Sequence, residues 1–68
     1  MKPNHVRAKE LTEIFEKSRI TLGWGSFFEI ACELLEGEGD PIHISRRYEI
    51  RSIEAKCLIK LAREYKDK

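Results

Sequence analysis

Cys32, Cys57, His5 and His43 carry the softest donor atoms in this 68-residue chain, and a zinc ion would want four such ligands in a tetrahedron. They come from four separate places in the sequence, with no C-x-x-C pair to pre-form half a site. No structural metal is expected. Each cysteine falls instead among apolar residues at helical spacing, where a free thiol packs as a small hydrophobe. A disulfide between the two is allowed by count alone, but two cysteines make no framework and a reducing compartment opposes the bond. Glu29, Glu33 and Glu36 share one helical face, a spacing that can hold a metal, yet no Glu-x-x-His accompanies them. There is no nucleophile elbow, no glycine-rich phosphate loop and no zinc-protease signature. The chain is therefore expected to be non-enzymatic and to need no cofactor.

Binding chemistry is better represented. His43-Ile44-Ser45-Arg46-Arg47, continuing to Arg51, is the densest cationic cluster, and it lies at or near a helix N-terminus whose free N–H groups and dipole favour an anion. Arg46, Arg47 and Arg51 are thus candidate contacts to a phosphate or a nucleic-acid backbone. Against this stands a sequence pI of 7.8, below the value above about 9 that marks dedicated nucleic-acid binders. Pairing of the arginines with Glu36, Glu38 and Asp40 is the competing use. Gly23-Trp24-Gly25 sets a large aromatic on a turn just ahead of a helix, where it can anchor a partner or simply plug the end of the core. Phe27 and Phe28, adjacent, point to different sides, so one of them is free to meet another surface.

Three helices must position these groups. Ala8, Leu11, Ile14, Phe15, Ser18 and Leu22 fall within about a third of the helical circle, which predicts a helix over residues 5 to 18 with Asn4 as its N-cap. Ser26 with Glu29 reads as a capping box and Gly37 as a stop, predicting a second helix over 27 to 36 with an unusually wide apolar face. Asp40-Pro41 and Ser45 are rival starts for a third helix, read here as running from 46 to 66. That helix shows a main stripe of Ile50, Ile53, Cys57, Leu58, Leu61 and Tyr65. A second stripe holds Tyr48, Ala55, Ile59 and Ala62, and Lys56, Lys60 and Arg63 make a basic face between the edges. At ~1.5 Å per residue the third helix would be roughly 31 Å long, a spine for the other two. Glu29, Glu33 and Glu36 would then face Lys56, Lys60 or Arg63. The second stripe is left without a partner inside the chain, which predicts a homodimer, since a two-fold axis lets one patch cover itself.

Length bounds these readings. Folding would reduce roughly 11,600 Å² of open-chain surface to roughly 4,400 Å², a thin core for a single domain spanning 1 to 68. The net charge of +1 conceals an asymmetry: residues 1 to 22 sum to +2, residues 23 to 41 to −5 and residues 42 to 68 to +4. No apolar run is long enough to span a bilayer and the start has no signal-peptide core, so a cytoplasmic protein without membrane association is expected. The expectation is an all-α, three-helix, regulatory or assembly module that works as a homodimer and captures a further protein through Trp24, Phe27, Phe28, Tyr48 and Ile59. A nucleic-acid-binding regulator using Arg46, Arg47 and Arg51 is the alternative. No family resemblance reaches a quotable motif, and the helices flanking Gly23 to Gly25 lack the short turn of a helix-turn-helix.

Overall fold

The computed structural model describes residues 3–37 and 39–67. Among these, four helices and no strand are present: α1 (Asn4–Glu16), α2 (Trp24–Glu36), α3 (Pro41–Tyr48) and α4 (Ser52–Lys66). The all-α expectation holds, but the three-helix unit with a long C-terminal spine does not. The segment read as one helix from 46 to 66 is two, broken at 49–51, and the first of them starts at Pro41.

Local chemistry explains each boundary. At α1 the N-cap position falls on Pro3 and not on Asn4; the Pro3 carbonyl accepts the N–H groups of Val6 and Arg7 at 3.1 Å each. Ala8, Leu11 and Phe15 are completely buried, as their spacing requires, and Thr12 joins them because its hydroxyl donates to the Ala8 carbonyl at 2.6 Å. The chain then turns at Ser18, whose hydroxyl donates to the Phe15 carbonyl, and Ile20 returns to the core.

At α2 the expected Ser26 and Glu29 box does not form. The helix starts at Trp24, with Gly23 in extended backbone and its carbonyl accepting from Phe27 N–H at 3.1 Å. Starting before residue 27 puts Trp24 and Phe28 four residues apart on one helix, and their rings stack with centroids 5.2 Å apart. At the other end, the Lys66 ammonium from α4 donates to the carbonyls of Leu34 at 2.8 Å and Gly37 at 3.1 Å, so a cation from elsewhere in the fold closes α2 where the dipole is negative.

α1 packs along α2 and α3 along α4, while α4 also touches both α1 and α2. The core between them is built from Leu11 and Phe15 of α1, Phe27, Ile30 and Leu34 of α2, Ile44 of α3, and Ala55, Leu58, Ile59 and Ala62 of α4. Phe15 and Phe27 meet at 5.8 Å in a tilted pair. The stripe expected to await a second copy is thus covered within the chain: Ile59 is 8% exposed, and Ala55 and Ala62 less. Small residues at 55 and 62 let α4 approach its neighbours closely. The other stripe divides: Leu58 is completely buried and Ile50, Leu61 and Tyr65 pack half-buried against the core, while Ile53, 72% exposed, and Cys57 are left outside. No helix among the described residues is long and apolar enough to cross a membrane.

Candidate nucleic-acid interface

α3 and α4 are joined by the three residues Glu49, Ile50 and Arg51. Asp40 starts α3: its side chain accepts the Ile42 N–H at 2.9 Å, and Pro41 occupies the first helical position where a missing N–H costs nothing. Completely buried Ile44 ties the short helix to the core. Ser45 then builds the turn. Its carbonyl accepts the N–H groups of both Glu49 and Ile50, and its hydroxyl donates to the Ile50 carbonyl at 2.6 Å. These bonds hold Glu49 in the left-handed region, at φ 55 and ψ 43, which reverses the chain direction within a single residue.

Arg51 follows in extended backbone as the N-cap residue of α4, and its N–H donates to the Glu54 side chain at 3.0 Å. With Ala55, Leu58, Ile59 and Ala62 facing inward, the 100° step of the helix forces Ser52, Ile53, Lys56, Lys60 and Arg63 outward, and all five are exposed. The result is a 15-residue helix whose first turn is capped by Glu54 and exposes Ser52 and Ile53, with an arginine at its head and three further cations along its open side.

The remaining expected residues divide into two groups. Trp24, Phe28 and Tyr48 come together along the α2–α3 cleft: Trp24, 46% exposed, stacks on Phe28, and Phe28, Tyr48 and Arg47 line one hollow with Glu29, Glu33 and Glu36. Phe27 and Ile59, expected to touch a partner, are instead core residues, at 2% and 8% exposure. Of the adjacent pair, Phe27 is the one turned inward, because α2 presents that side to Phe15.

The acidic face of α2 meets α3, and not Lys56, Lys60 or Arg63 of α4 as the longer spine would have required. Glu33 lies 3.6 Å from His43 Nε2, and the Tyr48 hydroxyl donates to Glu29 at 3.3 Å. Burial, with Glu29 and Glu33 adding to it and Arg47 opposing, pushes the Tyr48 phenol above its ordinary range. Arg46 and Arg47 lie in the last turn of α3 and not at a helix N-terminus as expected, leaving only Arg51 at one; both line a hollow with Asp40, Ile42 and His43, and Arg47, 5.7 Å from the Tyr48 ring, also borders the acids of α2. Pairing of the arginines with Glu38 lies outside the described residues.

The two cysteines are free, Cys32 half-buried and Cys57 exposed, and they stand on different helices from each other and from His5 and His43. Among the described residues no three His, Cys, Asp or Glu side chains converge as metal ligands would. Sequence reasoning grouped Lys56 and Lys60 with Arg63 as a basic face but did not join Ser52 and Ile53 to them, because Ile53 reads as a core residue by type and only the packing of Ala55, Leu58, Ile59 and Ala62 turns it outward. Comparison with family models, with curated proteins and with solved structures finds no match to the chain.

Proposed function

We propose that this protein binds duplex DNA, with α3, the 49–51 turn and α4 acting as a helix-turn-helix and α4 lying in the major groove. The observation that carries it is the break at Glu49, after which Arg51, Ser52, Ile53, Lys56 and Lys60 are all exposed at the start and along the open side of α4. An eight-residue helix, a three-residue turn and a second helix with a polar, cationic open face form the arrangement by which such proteins place a reading helix against base edges. The major groove, about 12 Å wide, admits one helix. Residues 41 to 67 hold seven bases and four acids. Ser52, Ile53 and Lys56 in the first turns would meet base edges, while Arg46, Arg51 and Lys60 would neutralise phosphates. The activity is non-enzymatic and regulatory, in the cytoplasm, and needs no cofactor.

The Trp24, Phe28 and Tyr48 cleft favours a second reading, capture of a protein partner, because an exposed stacked aromatic pair is a common anchor. Titration of labelled duplex DNA at several salt concentrations separates the two. Binding should weaken with salt at a log–log slope of about −0.9 for each phosphate contacted. Replacing Arg51, Lys56 and Lys60 together with Ala should remove most of it while leaving the circular dichroism unchanged, since all three are exposed. Duplex binding that is absent at low salt, or that survives the triple change, contradicts the proposal.

A further inference from the structure

An apolar groove of about 630 Å³ runs between the end of α1 with the segment that follows it and the Ile53 to Leu61 stretch of α4, lined chiefly by Ile14, Ser18, Ile20, Ile53, Cys57 and Leu61. Lys17 and Arg19 border it on the α1 side and Glu54 on the α4 side. Ile53 stands at its edge as the most exposed large hydrophobic residue among those described, so one patch carries both a projecting aliphatic side chain and a hollow of matching chemistry. We infer that this groove seats a second copy of the chain, and that the resulting dimer is the DNA-free form.

Self-complementarity decides the occupant. A two-fold axis beside Ile53 sends each copy's Ile53 into the other's groove and brings Lys17 and Arg19 of one copy toward Glu54 of the other. Both signs of charge needed for that match are present on the one rim. A partner of different sequence would have to supply the same pattern, whereas a second copy has it already. Ile53 to Leu61 is eight helical steps, roughly 12 Å of helix, so the contact is small and the dimer weak and concentration-dependent.

The second half of the inference rests on the DNA-binding reading. Ile53 lies opposite the buried stripe of α4, in the sector that also holds Lys60, so a second copy over it covers the turns that would enter the major groove. Dimer and DNA complex then exclude one another.

Sedimentation equilibrium tests the dimer directly. The mass should rise with concentration from 8.0 kDa toward twice that value. Ile53→Ser should hold it at 8.0 kDa with unchanged circular dichroism, because that side chain contributes almost nothing to the monomer core. Lys17→Glu with Arg19→Glu should do the same by repelling Glu54. Alkylation supplies an internal control: reaction of Cys57 should slow as the protein is concentrated. Reaction of Cys32, whose thiol is pushed up by burial and then by Glu36 and Glu29, should stay slow at every concentration. A wild type that remains at 8.0 kDa, or an Ile53→Ser variant that still dimerises, overturns the inference whether or not duplex binds. Adding duplex to the dimer should restore Cys57 reactivity unless DNA itself covers it, so mass is read as well: one chain per duplex site supports exclusion, and an intact dimer on DNA overturns it. A dimer with no duplex binding under any condition leaves the groove assigned and removes the DNA-binding reading.

Discussion

Glu49 shows how one residue determines whether this chain has three helices or four. A left-handed backbone costs an L-residue with a Cβ roughly 1 to 2 kcal/mol, and Glu49 at φ 55 bears that cost because Ser45 supplies three hydrogen bonds across the turn. Glycine has no such penalty. Glu49→Gly is therefore expected to raise stability by about 1 kcal/mol in urea denaturation, somewhat less after the added freedom of the unfolded chain. Ser45→Ala should lower it by about 1 kcal/mol, since the half-buried Ile50 carbonyl loses its donor. Destabilisation by Glu49→Gly would mean that the chain does not turn left-handed there. The side chain at this position also hides the turn from a reader of the sequence: a glycine at 49 would have marked the end of α3, whereas Glu continues a helical pattern without interruption.

At the scale of elements, what is legible in the sequence follows the strength of local signals. The α1 stripe and the stop at Gly37 are visible, and the start at Asp40-Pro41, offered by the sequence but passed over for Ser45 in the reading of a helix from 46 to 66, is the one the protein uses. Which side of α4 faces inward is not visible, because hydrophobicity alone ranks Ile53 above Ala55 and Ala62, while close packing against α1 and α2 selects the alanines. Burial of Phe27 and not Phe28 is likewise fixed by tertiary contact with Phe15. The closure of α2 by Lys66 depends on residues 29 and 32 positions away in sequence, so no local motif announces it. Lys66→Ala should uncap α2 and cost about 1 kcal/mol. Thermal melting of this variant beside Lys60→Ala, which caps nothing, measures that difference; equal melting temperatures would show that the α4 end does not hold α2.

For the whole molecule, charge distribution matters more than net charge. The acids of residues 23 to 41 lie largely against α3, and the cations of α4 are left on an open side, so a pI of 7.8 understates the local field that a DNA duplex would meet. A near-neutral total gives little long-range steering, so on the proposed reading affinity would come from short-range contacts, of which those to phosphates weaken steeply with salt. The folded chain exposes 4841 Å², above the roughly 4,400 Å² expected for its mass, in keeping with an open apolar groove on a thin core. The most direct test of the helix-turn-helix assignment is a nuclear magnetic resonance titration of the isotope-labelled monomer with duplex DNA. Amide shifts should change at Arg46 and at residues 49 to 63, strongest from Arg51 to Lys56, with Trp24, Phe28 and the acidic face of α2 unmoved. Shifts confined to Trp24, Phe28 and Tyr48, or none at low salt, would contradict it.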